Sequence, residues 1–309
     1  MKAVRYHRYG DSDVLVYEEA ARPVPAAGQV VVKVAGTSFN PVDVAIRAGH
    51  LQQAFPLAFP HVPGIDVAGT VDEVGAGVLG WRAGDAVVGF SPMNADGAAA
   101  AYVAVPAEIL AAAPRTVEPA DAAALPAVGL TAWQSLFEHA DLKAGQSILV
   151  NGAGGAVGGY AVQLAAQAGA VVTATASARS ADRVRGYGAE EIVDYTATPV
   201  TGTGERFDVV LNLVITSPQE TAALVGLVAD GGVFVSTTTP GQDDTDRDVR
   251  AVRVFARSDA AQLAELVARV DSGDLKIDVA ARRPLSDLAA VHDEAITGRL
   301  AGKTVLTPA

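Results

Sequence analysis

The stretch NGAGGAVGGYAVQLAAQAGA, residues Asn151–Ala170, decides the fold class of this chain. It follows the apolar run Ser147–Val150 and precedes a second apolar run, Val171–Ala176. Between the two runs the sequence predicts a helix over Val157–Gln167. The order strand, glycine turn, helix and strand predicts parallel strands joined by a helical crossover.

The glycines of this turn suit a backbone that approaches a diphosphate closely. Gly152, Gly154 and Gly155 can adopt a positive φ and carry no Cβ that would hold a ligand away. The amides of the first helical turn, aided by the helix dipole, then face the anion, while Gly158 lets the helix lie close to the strand. The frame is A-x-G-x-x-G, with Ala153 where the usual motif has its first glycine. We therefore predict a dinucleotide site, the alternative being a tight strand–helix turn without a ligand. The predicted cofactor-binding residues of the turn are Gly152, Gly154, Gly155, Ala156, Val157 and Gly158.

Composition excludes several classes of protein. A chain of 309 residues, half of them apolar, can bury two cores and indicates two domains. The formal net charge of −12 argues against nucleic acid or an anionic membrane as a partner. The chain has no cysteine, which excludes disulfides, thiolate nucleophiles and cysteine-ligated zinc. Since MKAVRYHRYG lacks a signal-peptide pattern and no uncharged apolar run reaches about 18 residues, we expect a soluble cytoplasmic protein.

The pattern of short segments changes near residue 120. Before it, segments such as Val30–Val34, Val67–Val74 and Ala86–Val88 lie between glycine, proline and aspartate turns, which predicts a small antiparallel sheet or barrel. After it, helices and strands alternate, which predicts a doubly wound parallel sheet. The tail from Leu275 is too short for a domain, and we expect it to rejoin the N-terminal sheet. The elements predicted in the second part are helices over Pro119–Glu138, Ser180–Gly188, Pro218–Ala229 and Ala260–Ser272, and strands over Glu191–Tyr195, Phe207–Val214, Gly232–Thr237 and Val249–Phe255.

The end of the second strand indicates which dinucleotide binds. In NAD sites a carboxylate about 20 residues beyond the glycines holds the ribose hydroxyls. Here no Asp or Glu occurs between Gly158 and Asp182, and the region contains Ser177 and Arg179 instead. Both can donate to a 2′-phosphate, and a charge-assisted contact is worth about 1.5–3 kcal/mol. The sequence thus favours NADPH over NADH; the alternative is that Arg179 is a solvated residue at a helix start.

Several segments together resemble one family, the zinc-free quinone oxidoreductases of the medium-chain dehydrogenase/reductase superfamily. They span almost the whole chain in the order of the family: Ser38–Asp43 (SFNPVD), Pro63–Val71 (PGIDVAGTV), Gly129–Ala132 (GLTA), Asn151–Ala165 and Gly302–Leu306 (GKTVL). The resemblance implies an α/β protein with a Rossmann doubly wound parallel sheet and a GroES-like β-barrel domain. With the bounds given by the segment pattern, the GroES-like substrate domain covers 1–120, rejoined by 275–309, and the Rossmann NADPH-binding domain covers 121–274; the resemblance implies a cleft between them.

Metal ligands are missing where the zinc-dependent relatives have them. Those relatives carry a cysteine early in the barrel and a Gly-His-Glu segment after it, whereas this chain has Gly64-Ile65-Asp66 and no cysteine. Without a Lewis acid to stabilise an alkoxide, alcohol oxidation is disfavoured and reduction of a delocalised acceptor is favoured. We expect no metal.

The resemblance also assigns roles to three individual residues. Asn40 is expected near the nicotinamide, where its amide could hydrogen-bond the acceptor oxygen as the candidate catalytic residue; alternatively it fixes the turn before Pro41. Thr131 resembles a residue whose hydroxyl lies near the nicotinamide or its ribose, and it could equally be an ordinary helix residue. Tyr195 resembles a residue that meets the ribose carrying the 2′-phosphate, and it could equally be a half-buried residue at a strand end.

Two further predicted strands end at the carboxyl edge, where ligands bind in doubly wound folds. Asn212 and Val214 end one strand, and Ser236 and Thr237 end the next; for Ser236 and Thr237 a plain polar turn is the alternative. The glycines that the family usually has after the first of these strands are replaced by residues 215–217, Ile-Thr-Ser.

The resulting hypothesis is a metal-free reductase that transfers a hydride from NADPH to a quinone or an α,β-unsaturated carbonyl compound. Some relatives have a tyrosine at the position of Ala45, so the usual candidate proton donor is missing, which slightly favours quinones. The alternatives are a reductase of enoyl thioesters or secondary-metabolite enones, and an NADPH-binding regulatory or structural protein without turnover. The apolar edge strand Val249–Phe255 predicts a homodimer.

Overall fold

The computed structural model describes residues 1–202, 204–300 and 302–308. The chain forms two compact units, the first of residues 1–127 with 258–309 and the second of residues 128–257. The sequence predicted the boundaries between the two domains near residues 120 and 274. The later boundary differs because the helix after residue 258 packs on a strand of the first unit.

The first unit is built around an antiparallel sheet. Its N-terminal elements are β1 (Lys2–Arg5), β2 (Val16–Glu19), β3 (Gln29–Ser38), α1 (Pro41–Arg47), β4 (Asp66–Val74), β5 (Ala86–Phe90), β6 (Tyr102–Pro106) and β7 (Leu110–Ala112). β3 pairs with both β4 and β6, and β5 pairs with β4 and β7, all antiparallel. Alternate valines such as Val30, Val32 and Val67 belong to one buried cluster, as the period of two in a strand allows.

The second unit is a six-stranded parallel sheet with helices. Its elements are α2 (Pro126–Trp133), which spans the boundary, β8 (Ser147–Asn151), α3 (Ala156–Gln167), β9 (Val171–Ala176), α4 (Ala181–Gly186), β10 (Glu191–Asp194), β11 (Phe207–Asn212), α5 (Pro218–Gly226), β12 (Val228–Ser236) and β13 (Arg250–Arg253). The strand order is β10-β9-β8-β11-β12-β13, and all five pairs are parallel. This is the 3-2-1-4-5-6 order of the Rossmann fold, whose strand order reverses between β8 and β11.

The C-terminal segment completes the first unit. It comprises α6 (Ala260–Ser272), β14 (Ala281–Pro284), α7 (Leu288–Ile296) and β15 (Thr304–Thr307). β15 pairs antiparallel with β3, and β14 pairs parallel with β15. α6 packs against β7, and the Arg115 amide donates to Asp271 at 2.7 Å. Within the described ranges, no helix has the length and apolar character needed to cross a membrane.

Two predicted helices differ from the observed ones by three residues or more at one end. The helix expected over Pro119–Glu138 is divided into a 3₁₀ turn at Asp121–Ala124, α2, and a π-helical turn at Gln134–His139. Pro126 has no N–H to continue a helix but fits the first turn of a new one, so α2 begins there. The helix expected to reach Ala229 ends at Gly226, because the Phe207 amide donates to Leu227 at 2.8 Å and draws the chain into β12.

Candidate active site

The glycine turn after β8 requires glycine at Gly152 and at Gly158. Gly152 has φ +97°, which other residues rarely adopt, and Gly155 is the N-cap of α3. A Cβ on Gly158 would lie 2.4 Å from the Gly152 carbonyl oxygen and 2.6 Å from Ala153 Cα. α3 therefore starts directly on the turn, with the amides of its first turn available for an anion.

A polar network joins the carboxyl ends of β8, β9 and β11. Thr175 Oγ1 accepts from the Gly152 amide at 2.8 Å and donates to Asn151 Oδ1 at 3.0 Å. Asn151 Nδ2 in turn donates to Asn212 Oδ1 at 2.9 Å. The network fixes the start of the glycine turn at the point where the strand order reverses. Sequence reasoning missed Asn151 and Thr175, although two polar residues at apolar strand ends were a usable signal.

The segment after β9 adjoins the glycine turn. Ser177 is half-buried and Arg179 is exposed, just before Ser180 caps α4. A Cβ on Gly154 would lie 2.6 Å from Ser180 Oγ, and Arg183 Nη2 donates to the Gly154 carbonyl at 2.8 Å. Arg183 was also missed; its place one turn into the helix after β9 was the available signal. The predicted phosphate-binding residues thus lie beside the predicted diphosphate turn.

Residues at the carboxyl ends of β11 and β12 make hydrogen bonds that stabilise the loops after these strands. Asn212 is fully buried, and its Nδ2 donates to the Val214 carbonyl at 3.0 Å. Ser236 is also fully buried and lies opposite Asn212 in the sheet, and the Thr237 amide donates to the Asn212 carbonyl at 3.1 Å. Val214 remains partly exposed. Asn212 and Ser236 thus support the edge, whereas Val214 lies exposed beyond it, and its role toward a cofactor stays a prediction.

The other two predicted residues of the second unit are Tyr195 and Thr131. Tyr195 directly follows β10 and is 55% exposed. Asp194 is in register with Ala176, so this tyrosine follows the strand next to β9 at the same edge of the sheet. Thr131 is half-buried in α2. Their roles toward a cofactor stay predictions.

In the first unit, Asn40 belongs to a buried polar cluster. It is 4% exposed and caps α1, with its backbone amide donating to Asp43 Oδ2 at 2.9 Å. Its Nδ2 donates to Asp66 Oδ2 at 2.8 Å and to the Ser38 carbonyl at 3.3 Å, and its Oδ1 accepts from Lys303 Nζ at 2.7 Å. Both amide hydrogens are engaged, so donation to an acceptor oxygen would require release of the longer bond to Ser38.

Asp66 and Lys303 form the charged centre of this cluster. Asp66 is fully buried; its Oδ1 accepts from the Ala127 amide at 2.7 Å, and Ser38 Oγ donates to its Oδ2. Lys303 Nζ is 3.4 Å from Asp66 Oδ2 and donates to the Phe39 carbonyl at 3.1 Å. Burial lowers the pKa of Lys303, and the charge of Asp66 opposes that shift. Sequence reasoning treated Lys303 only as part of a motif; a lysine directly before the apolar Thr304–Leu306 segment was the signal.

Asp43 is a second buried carboxyl beside this centre. Burial is the main cause that raises the pKa of Asp43 to about 7, and the negative charge of Asp66 adds to it. The hydrogen bond from the Asn40 amide and the charge of Lys303 act in the opposite direction. This carboxyl can therefore hold a proton at near-neutral pH. Across the described ranges, no group of three His, Cys, Asp or Glu side chains is arranged to hold a metal ion.

Two family models match this chain. Residues 26–115 match the model described as "Alcohol dehydrogenase GroES-like domain", and residues 187–306 match the one described as "Zinc-binding dehydrogenase". The chloroplast envelope quinone oxidoreductase homolog of Arabidopsis thaliana is 34% identical over all of this chain and 98% of its own length. The chloroplastic NADPH-dependent alkenal/one oxidoreductase of the same plant is 33% identical over all of this chain and 80% of its own length. The solved quinone oxidoreductase of Coxiella burnetii is 26% identical, with a TM-score of 0.89 over 99% of both chains.

Proposed function

Because the chain belongs to the quinone oxidoreductase family of the medium-chain dehydrogenase/reductase superfamily, we propose that it is an NADPH-dependent, zinc-independent reductase of quinones or α,β-unsaturated carbonyl compounds. The observation that carries the proposal is the glycine turn at the reversal point of the sheet, next to a strand end with Ser177 and Arg179 and no carboxylate. The names of the relatives, a quinone oxidoreductase homolog and an alkenal/one oxidoreductase, support both acceptor classes.

Zinc independence rests on the ligands that the chain offers. Zinc in proteins is held by Cys, His, Asp and Glu, three or four at a time. The chain has no cysteine, and where the described relatives of the zinc type carry Gly-His-Glu it has Gly64-Ile65-Asp66. Asp66 is committed to Lys303, Asn40 and the Ala127 amide, so its carboxylate already has a cation and hydrogen-bond donors. Zinc does not fit this donor set, and no step of the reaction is assigned to it.

The residues of the chain itself would position the cofactor and the acceptor. When bound, NADPH provides a hydride from its nicotinamide ring. The amides at the start of α3 would hold the diphosphate and Ser177 and Arg179 would hold the 2′-phosphate, while Arg183 keeps Gly154 in place through its carbonyl. A quinone needs little more than alignment, because the anion left by hydride transfer is delocalised.

Steady-state oxidation of NADPH with a panel of quinones and a panel of enones tests this function. We expect turnover with at least one panel. Turnover with enoyl thioesters alone would favour the alternative of a thioester or secondary-metabolite enone reductase. NADPH binding without turnover on any acceptor would favour the regulatory or structural alternative and contradict the proposal.

Replacement of Arg179 by alanine tests the choice of cofactor. Loss of one charge-assisted contact to a 2′-phosphate removes about 1.5–3 kcal/mol, so the KM for NADPH should rise about 10- to 150-fold while that for NADH changes little. Arg185→Ala is the matched control, because Arg185 lies in the same segment but pairs with Asp182 at 3.3 Å. Equal changes for the two nucleotides would mean that Arg179 does not contact the phosphate.

We also propose a homodimer formed through β13. In the described part of the chain β13 is the last strand of the parallel sheet, and Phe255 just beyond it is 61% exposed. Such an edge offers unpaired backbone groups to a second copy across a two-fold axis. Light scattering should give twice the mass of the chain, and a monomeric mass at micromolar concentration would refute the dimer.

A further inference from the structure

A small pocket lies next to the Asn40 cluster, wholly within residues 1–127. Its apolar lining includes Ile46, Ile65 and Met93, and three titratable side chains also face it: Tyr6, Asp43 and His61. Its free space suits a water-sized molecule and is too small for a quinone ring. The pocket is thus suited to water and protons rather than to the acceptor itself.

The titratable residues form a series between solvent and Asp43. Asp96 has a side chain that is 64% exposed, and its Oδ1 is 3.5 Å from His61 Nδ1. The His61 ring packs edge-on against Tyr6 at 5.2 Å between centroids, and the backbones of these two residues pair. The Val62 amide fixes Asp96 by donating to Oδ1 at 2.9 Å. Titratable side chains therefore lie at successive positions between the surface and the pocket.

Burial is the main cause that favours the neutral forms of the titratable groups facing the pocket. Burial, and then the charge of Asp43, raise the pKa of Tyr6, and burial lowers the pKa of His61 against the opposing charge of Asp96. Around Asp43 itself the charged groups are Asp66 on β4 and Lys303 before β15, which act in opposite directions. Arg47 on α1 lowers the pKa of Tyr6, against Asp43, Tyr9 and Asp96. A neutral Asp43 is a carboxylic acid with a proton to give.

We propose that this pocket supplies the proton that completes reduction, with Asp43 as the proton-storing group and Tyr6 and His61 as its link to solvent. The inference rests on the proposed function. Hydride transfer leaves a hydroquinone monoanion or an enolate. The O–H bond of Asp43 then breaks, its electron pair stays on the carboxylate, and the proton passes through a pocket water to the anion. Asp43 is reprotonated from solvent along the Asp96 side.

The two acceptor classes depend on this proton differently. A hydroquinone monoanion is stable enough to take its proton from bulk water. An enolate must be protonated at carbon, where a positioned acid contributes typically 10²- to 10⁴-fold. The pocket therefore matters for enones much more than for quinones.

The test compares Asp43→Asn with wild type on both acceptors. Asparagine still accepts the hydrogen bond from the Asn40 amide but has no proton to transfer. We expect kcat for enones to fall by at least about 100-fold and kcat for quinones by less than about threefold, with Tyr6→Phe showing a smaller effect of the same pattern. Tyr9→Phe is the control, because Tyr9 packs on Phe59 without lining the pocket. Equal losses on both acceptors, or none on enones, would overturn the proposal.

A second readout needs neither cofactor nor turnover. In protein with ¹³C-labelled aspartate carboxyls, one signal should titrate near pH 7 and be missing from Asp43→Asn. Titration of that signal below pH 5 would overturn the proposal even if NADPH oxidation is intact. Conversely, turnover with quinones or enones in the wild type upholds the proposed function whatever Asp43 does, so the two can fail separately.

Discussion

Gly158→Ala should weaken nucleotide binding strongly while leaving the first unit folded. The new Cβ would meet the Gly152 carbonyl oxygen at 2.4 Å and Ala153 Cα at 2.6 Å, and both are backbone atoms that cannot rotate away. Either α3 moves off the turn or the turn opens, and overpacking of this kind costs about 1–3 kcal/mol. Because we propose that the same atoms cradle the diphosphate, we expect the Kd for NADPH to rise at least about 100-fold. Titration calorimetry and thermal unfolding measure the two effects.

Gly226→Ala is the matched control for this substitution. Gly226 is the last residue of α5, and a Cβ built there meets no atom within 4 Å. Replacement at such a position usually stabilises by about 0.4–1 kcal/mol, through the unfolded chain. NADPH affinity should not change. Similar losses of affinity in both variants would show that an added methyl group disturbs this sheet at either position. That result would contradict a specific requirement for glycine at Gly158.

Breaking the Asp66–Lys303 pair should produce the largest loss of stability. Asp66→Leu leaves a buried ammonium with only the Phe39 carbonyl and Asn40 Oδ1 as acceptors. Removal of one partner of a buried pair typically costs about 3–5 kcal/mol, because the other charge stays uncompensated. Lys303→Met should cost less, since Asp66 keeps donors from Asn40 and the Ala127 amide. Urea unfolding at neutral pH measures both.

The double variant Asp66→Leu with Lys303→Met distinguishes charge from packing. With no charge left uncompensated, it should be more stable than Asp66→Leu alone, and the coupling between the two sites should exceed about 2 kcal/mol. Asp182→Asn is the control, because its exposed pair with Arg185 should contribute nothing measurable. Additive losses in the double variant would contradict the idea that the two charges depend on each other.

Local signals let the sequence predict several single elements of both units. β9 over Val171–Ala176 and α6 over Ala260–Ser272 match the predicted ranges, since a run rich in Val and Thr defines the strand and the Asp259 cap marks the start of the helix. The fold class, a Rossmann sheet with a GroES-like barrel, is confirmed by the strand order and by the matching family models. The glycine turn could be predicted because the role of its glycines depends on local backbone geometry, which residues adjacent in the sequence determine.

Distant contacts escaped the sequence for a physical reason. Lys303 and Asp66 are 237 residues apart, and only the pairing of β15 with β3 brings them together. The assignment of Asn40 to the acceptor oxygen also could not anticipate that Lys303, Asp66 and Ser38 already take up its side chain. The sequence analysis assigned α6 to the second domain for the same reason. In the structure α6 packs against β7, which lies about 150 residues earlier in the chain, and local patterns do not predict such a contact.

Calorimetric titration of the purified protein with NADPH and, separately, with NADH tests the dinucleotide site most directly. We predict saturable heat with one nucleotide bound per chain and an affinity for NADPH at least about tenfold higher than for NADH, since Arg179 adds a charge-assisted contact to the extra phosphate. Absence of heat with both nucleotides, at concentrations up to the millimolar range and at two temperatures, would contradict the account.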